Sequence, residues 1–157
     1  MKKRILLSLI ISLIYTVGKS QTASVEKSTY GIQTGLLGIW VHNEMKLTNQ
    51  IALRTEFGVN ASIFGGNFYP KTGFLMTPVI SVEPRWYYNL EKRLSKSKSI
   101  SGNSGNFVSL QTSYHPDWFV ISNYDNLKTF NLITIIPTWG IKRNIGKHFT
   151  YETSIGV

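Results

Sequence analysis

Ile51-Ala52-Leu53-Arg54-Thr55-Glu56-Phe57-Gly58-Val59-Asn60-Ala61-Ser62-Ile63-Phe64 alternates with a period of two over its whole length. Its odd positions run Ile51, Leu53, Thr55, Phe57, Val59, Ala61, Ile63, and its even positions include Arg54, Glu56, Asn60 and Ser62. Successive side chains of a strand point to opposite faces, so this run reads as one long strand with an apolar face and a charged one.

Phe74 to Leu90 repeats the pattern in the opposite parity. Phe74, Met76, Pro78, Ile80, Val82, Pro84, Trp86, Tyr88 and Leu90 fall on one side; Thr77, Ser81, Glu83, Arg85, Tyr87 and Asn89 fall on the other. Gly35–Leu47, Phe107–Trp118, Thr129–Arg143 and Phe149–Val157 alternate more loosely. Six strands are visible. Thr48-Asn49-Gln50 and Asn144-Ile145-Gly146 read as tight turns, the second with glycine supplying a positive φ. Residues 65–73 and 122–128 read as longer loops, and 91–105 as a basic Ser/Gly/Asn-rich connection.

Alternation defines two faces without saying which is inside. A soluble barrel hides its apolar face, whereas a membrane barrel turns it to lipid around a polar interior. Three features favour the membrane. Several segments are far longer than the ~5–6 residues usual for strands of soluble domains. Aromatic residues stand near strand ends (Trp86, Tyr88, Tyr114, Trp118, Trp139, Tyr151), where an amphipathic ring suits the headgroup level. The polar face carries both signs of charge at mid-strand.

Register bears on that last feature. A three-residue turn at 48–50 pairs Leu47 with Ile51, which sets Glu44 opposite Arg54 and His42 opposite Glu56. Across the next loop the pairs have odd sums, such as Glu56 with Arg85 or Arg54 with Glu83. An ion-pair network of Glu44, Arg54, Glu56, Glu83, Arg85 and Glu152 is therefore expected to fill the interior, where a lone ion would be costly.

The chain has 157 residues, no cysteine and a formal net charge of +9. That suits one domain and excludes a disulfide scaffold, a cysteine zinc site, a thiol nucleophile and a lipoprotein anchor. Lys2, Lys3 and Arg4, then an apolar run from Ile5 to Tyr15, then Gly18 and Ser20 have the layout of a secretory signal peptide, with cleavage expected before Gln21. The apolar run is too short for a span needing about 20 residues. Four of the 17 basic residues and none of the 8 acidic ones lie in residues 1–20, so the remainder carries 13 bases against 8 acids, a net +5. Export and the smaller excess argue against a nucleic-acid partner. The domain is expected over residues 21–157.

The run Pro84-Arg85-Trp86-Tyr87-Tyr88-Asn89-Leu90, with Lys92-Arg93, Asn103-Ser104-Gly105-Asn106-Phe107, Tyr114-His115-Pro116 and Pro137-Thr138-Trp139-Gly140, resembles a family of small outer-membrane β-barrel proteins of unknown function from Bacteroidota. The likeness covers most of residues 30–157. It implies an antiparallel up-and-down transmembrane β-barrel and supplies no catalytic residues. Such barrels usually finish on a strand ending in an aromatic residue, whereas this chain ends at Val157. Closed bacterial barrels have an even strand count of at least about eight, so about two strands are expected beyond the six.

His42, His115 and His148 fall on three different segments. A metal site or a hydrolase base is conceivable there, but no segment singles out a serine nucleophile, and histidines held by carboxylates are the preferred reading. Lys92, Arg93, Lys96 and Lys98 could hold lipopolysaccharide phosphates or another anion; a solvated connection is preferred. The sequence thus predicts a non-enzymatic integral protein of the outer membrane, with lipid as its partner, no cofactor and a structural or interaction role. A lipocalin-like carrier and an outer-membrane lipid hydrolase are the rival classes.

Overall fold

The computed structural model describes residues 22–157 except 68, 126 and 147. The expected signal peptide lies outside the described residues.

The chain is all-β and antiparallel. Strands β1 (Ser28–Gly35), β2 (Gly38–Lys46), β3 (Ile51–Phe64) and β4 (Gly73–Trp86) lead into a short helix, α1 (Leu90–Leu94), and a 3₁₀ turn (Ser101–Asn103). Then come β5 (Gly105–His115), the two-residue β6 (Ile121–Ser122), β7 (Leu132–Ile145) and β8 (Phe149–Gly156). They form one sheet in the order β1-β2-β3-β4-β5-β7-β8, with β6 beside β4. Each long strand pairs with the next, as alternation joined by short turns requires.

Besides α1, β6 and shifted strand ends such as β7 reaching Ile145 where a turn was expected at 144–146, three differences from the sequence expectation bear on the sheet. Ser28–Gly35 is a strand that the alternation did not reveal; seven long strands are present among the described residues, not six. Its inward positions are Thr29, Gly31, Gln33 and Gly35, and only Tyr30 and Ile32 mark an outer face, so the alternation is faint. The strand expected to run to Leu90 ends at Trp86, where the Tyr87 N–H donates to Gln50 O at 2.8 Å, and Leu90 is buried in α1 instead of lying on the outer face. The strand expected to reach Trp118 ends at His115, because Pro116 has no N–H to continue the ladder. Trp118 therefore belongs to a loop.

The sheet curls into half a barrel. β1 and β8 are its edges, and no ladder joins them among the described residues. With seven strands alternating in direction, both edges run the same way. Residues 22–27, the 47–50 turn, the α1 connection, and Gly146 and His148 between β7 and β8 gather at one end, the turn end. The described residues of the 65–72 and 116–131 loops and the Leu36-Leu37 turn lie at the other, the loop end.

The two faces differ sharply. Outward positions of the long strands are apolar or carry Ser, Thr or Asn; the only charge among those described is Arg143, which sits at the turn end and bonds Gly105 O and Asn106. Phe57, Ile133 and Ile135 are each more than half exposed on this convex side. The buried apolar cluster is small: Ala23, Val25, Ala52, Tyr87, Leu90 and Phe107, with Leu94 and Ile100 against it. It closes the turn end of the concave side. Gly140 lies under the Phe107 ring, where a Cβ would collide with ring carbon.

Candidate functional site

The concave face has three levels, starting at the turn end with Glu44. This carboxylate is fully buried and accepts from Tyr87 Oη at 2.6 Å, Asn103 Nδ2 at 2.9 Å and Lys142 Nζ at 2.7 Å. Burial pushes the Tyr87 hydroxyl well above its ordinary pKa and the adjacent Glu44 carboxylate adds to this, so the phenol remains a donor. Asn103 also accepts from Glu26 N at 2.7 Å, and so ties the N-terminal segment to the same group. It holds a left-handed φ of 60°, which asparagine tolerates.

Two arginines occupy the middle level. Arg54 meets Glu56 at 2.5 Å, Gln33 through its Nη2, and Glu152 at 3.7 Å. Arg85 donates to Glu83 at 2.7 Å and to both oxygens of Glu152 at 2.7 Å, with its guanidinium 4.3 Å from the Phe107 ring centroid. Ser109 donates to Glu83 at 2.5 Å. All six residues expected to form a network are on the concave face and within it.

Its pairing differs from the expectation. Glu44 lies opposite Arg54 in register, but their charged groups are 3.9 Å apart, and Glu44 is closest to Lys142 and Tyr87. Glu56 lies opposite Ser81 and binds Arg54, not Arg85. Arg54 does stand opposite Glu83, one of the two expected alternatives, though its side chain reaches elsewhere. Two causes act: Arg54 and Arg85 each reach a carboxylate two residues away on their own strand, Glu56 and Glu83, and curvature brings Lys142 of β7 to Glu44 and Glu152 of β8 to Arg85.

The loop-end level is a cavity of about 260 Å³ lined by Gln33, Trp40, Glu56, Asn60, Gln111 and His115 among others. A separate cleft of about 310 Å³ lies between the two sheet edges, bordered by Thr29, His42, Asn144 and His148.

The histidines do not converge. His42 is tucked against Gly31, His115 faces the loop-end cavity, and His148 is exposed in the β7–β8 turn. Among the described residues no group of three or more His, Cys, Asp or Glu could hold a metal ion, and no serine hydroxyl bonds to His42. Of the basic stretch, Arg93 donates to Ser99 O at 2.7 and 3.2 Å, while Lys92, Lys96 and Lys98 are exposed around α1.

Of the six aromatics expected near strand ends, five lie at two levels of the convex side, and Trp118 lies in the loop after β5. Trp86, Tyr88, Trp139 and Tyr151 are at the turn end, with Trp139 Nε1 donating to Tyr88 Oη at 2.9 Å and the Trp86 and Tyr88 rings 6.0 Å apart. Tyr114 and Trp118 are at the loop end. No family model, curated protein or solved structure matches the chain.

Proposed function

We propose that this protein is an integral outer-membrane barrel, exported by removal of residues 1–20, with its convex face against lipid and its ion network as a fixed interior plug. One observation carries the reading: charge lies on the concave face, and the convex face is uncharged from Trp86 and Trp139 to Phe74 and Ile133. A soluble carrier of lipocalin type would show the reverse, since water favours charge outside and an apolar ligand favours an apolar interior.

The dimensions fit a bilayer. Phe74 and Trp86 are 12 residues apart on β4, roughly 40 Å along a strand at ~3.3 Å per residue. A tilt of about 40° reduces that to roughly 30 Å, close to the ~25 Å apolar band and its aromatic rims. The 47–50 turn, the β7–β8 turn and the N-terminal segment share one end with the 87–104 connection, and the 65–72 and 116–131 loops share the other with the Leu36-Leu37 turn; the first end is assigned to the periplasm on its two tight strand-to-strand turns and the N-terminal segment. Closure requires one strand antiparallel to both β1 and β8, which also makes the strand count even. This is the architecture that the likeness to small Bacteroidota barrels implies.

The role is structural or an interaction at the envelope. Glu44, Arg54, Glu83, Arg85 and Lys142 are buried and committed to one another, which leaves no unpaired base or nucleophile among the described residues of the middle level. Fractionation of producing cells tests the reading. The protein should resist alkaline carbonate washing, enter detergent, and show a heat-dependent gel mobility. Recovery in the soluble fraction overturns it.

A further inference from the structure

Trp40 has an unusual seat. It is an even, inward residue of β2, and its indole lies along the concave wall over three glycines on three adjacent strands. A Cβ at Gly35 would come within 3.3 Å of Trp40 Cζ3, one at Gly38 would overlap Cζ2, and one at Gly58 would come within 2.6 Å of Cδ1. A side chain at Gly35 would push on the ring alone, and side chains at Gly38 and Gly58 would crowd the ring and also meet the Val59 and Ile39 carbonyl oxygens. The indole N–H is fixed by Asn60 Oδ1 at 2.9 Å, which leaves the Asn60 amide nitrogen available as a donor. The result is an immobilised aromatic platform with one face against backbone and the other bordering the loop-end cavity.

The rest of that cavity narrows its chemistry. Gln111, His115 and Thr134 border it and make no side-chain hydrogen bond among the described residues. Ser81 and Ser113 bond each other at 2.8 Å. No Lys or Arg side chain among the described residues lines the space, so apart from the His115 imidazole it offers no cation to neutralise an anion. Its one carboxylate, Glu56, is already held by Arg54. A quaternary ammonium would call for several aromatic faces, and only one indole lines the described wall. The remaining match is a neutral molecule with one flat C–H face and several hydroxyls. A volume of about 260 Å³ is below the ~300–1,000 Å³ of drug-sized sites and admits one ring.

We propose that the loop-end cavity binds a single sugar ring, stacked on Trp40, with its hydroxyls bonded by Gln111, Asn60 and His115. Amides and an imidazole can each donate and accept, which suits hydroxyls that also do both. Stacking uses the ring's C–H face, and the walls satisfy its edge. Only concave-face residues take part, so the site exists whether or not the convex face meets lipid.

The full chain, folded in a detergent without a sugar head group, is titrated with glucose, galactose, mannose and N-acetylglucosamine. Tryptophan emission and saturation-transfer NMR report binding. At least one hexose should bind saturably. Gln111→Ala and Trp40→Leu should each weaken it about tenfold or more, while Trp86→Phe on the convex face should not. If Trp40→Leu does not fold, Gln111→Ala and His115→Ala decide. A trisaccharide ending in the same hexose separates the two sources: equal binding assigns a glycan end, and exclusion assigns the free sugar, either result supporting the site. Absence of hexose binding overturns the proposal. So does binding unaltered by Gln111→Ala and His115→Ala, or saturation by choline or inorganic phosphate instead.

Discussion

Glu152 on β8 accepts two 2.7 Å hydrogen bonds from the guanidinium of Arg85 on β4, a residue 67 positions earlier in the chain. The strands are not neighbours in the sheet, so this bidentate contact spans the concave space and fixes the curl. Paired N–H donors facing both carboxylate oxygens give such contacts their geometric specificity.

Removing one partner of this pair should be severe. Glu152→Ala leaves Arg85 with Glu83 alone inside the fold, and breaking a buried pair costs about 3–5 kcal/mol. The expected ordering of couplings in double-mutant cycles is Arg85–Glu152 and Glu44–Lys142 well above Glu44–Arg54, whose groups are 3.9 Å apart. Urea titrations in detergent measure it; a larger coupling for Glu44–Arg54 would refute this arrangement of the network.

The convex face should reject charge. Phe57 and Ile80 are cross-strand neighbours at mid-strand. An arginine at either position should cost about 2–4 kcal/mol if the site is at the bilayer midplane. Folding of Phe57→Arg and Ile80→Arg into lipid vesicles gives the comparison, and wild-type yields for both would count against lipid contact.

Tyr87→Phe should destabilise by about 1.5–3 kcal/mol, the range for a hydrogen bond to a charged group. It should also alter the alkaline limb. The folded state holds the Tyr87 proton above the ordinary pKa of 10.0, so the unfolded state loses it first and stability falls as pH rises past 10. That contribution is fully present below pH 10 and is absent in the phenylalanine variant. Denaturation at pH 8 and pH 11 should show the gap between the two proteins narrowing; a constant gap argues against the raised Tyr87 pKa that burial and the Glu44 carboxylate impose.

Two glycines should fail for different reasons. Alanine at Gly140 would collide with the Phe107 ring, and overpacking costs roughly 1–3 kcal/mol. Alanine at Gly146 meets no atom within 4 Å, but a φ of 65° costs an L-residue roughly 1–2 kcal/mol. A change to asparagine should recover stability at Gly146 and none at Gly140, as read by thermal or denaturant midpoints.

Much of the sheet was legible because period two is a local signal. The Ile51–Phe64 alternation and the three-residue turn set the first hairpin's register, and Glu44 stands opposite Arg54 as that count requires. β1 escaped because its inward glycines leave half the pattern blank. Lys142 as the nearest cation to Glu44 was out of reach, since the two are 98 positions apart and meet only through curvature that no pairwise register contains. The Trp40 platform did leave a trace: Gly35, Gly38 and Gly58 share its inward side on three consecutive strands. The trace has no meaning until the strands are set side by side.

The parallel sense of β1 and β8 has a consequence for how molecules of this kind meet. On the proposed membrane reading, every copy would enter the bilayer with the same end facing out. The two-fold rotation that would set one β1 antiparallel to another copy's β1 would also turn that copy upside down. Vectorial insertion forbids it, so any edge offered by a neighbour runs alongside, in the less favourable parallel sense. The seam therefore discriminates by direction alone: it is matched by a segment threading from the loop end to the turn end. An exposed edge is normally an aggregation liability, and on the proposed membrane reading the bilayer's asymmetry would take over the protection that charges and prolines give to soluble sheets.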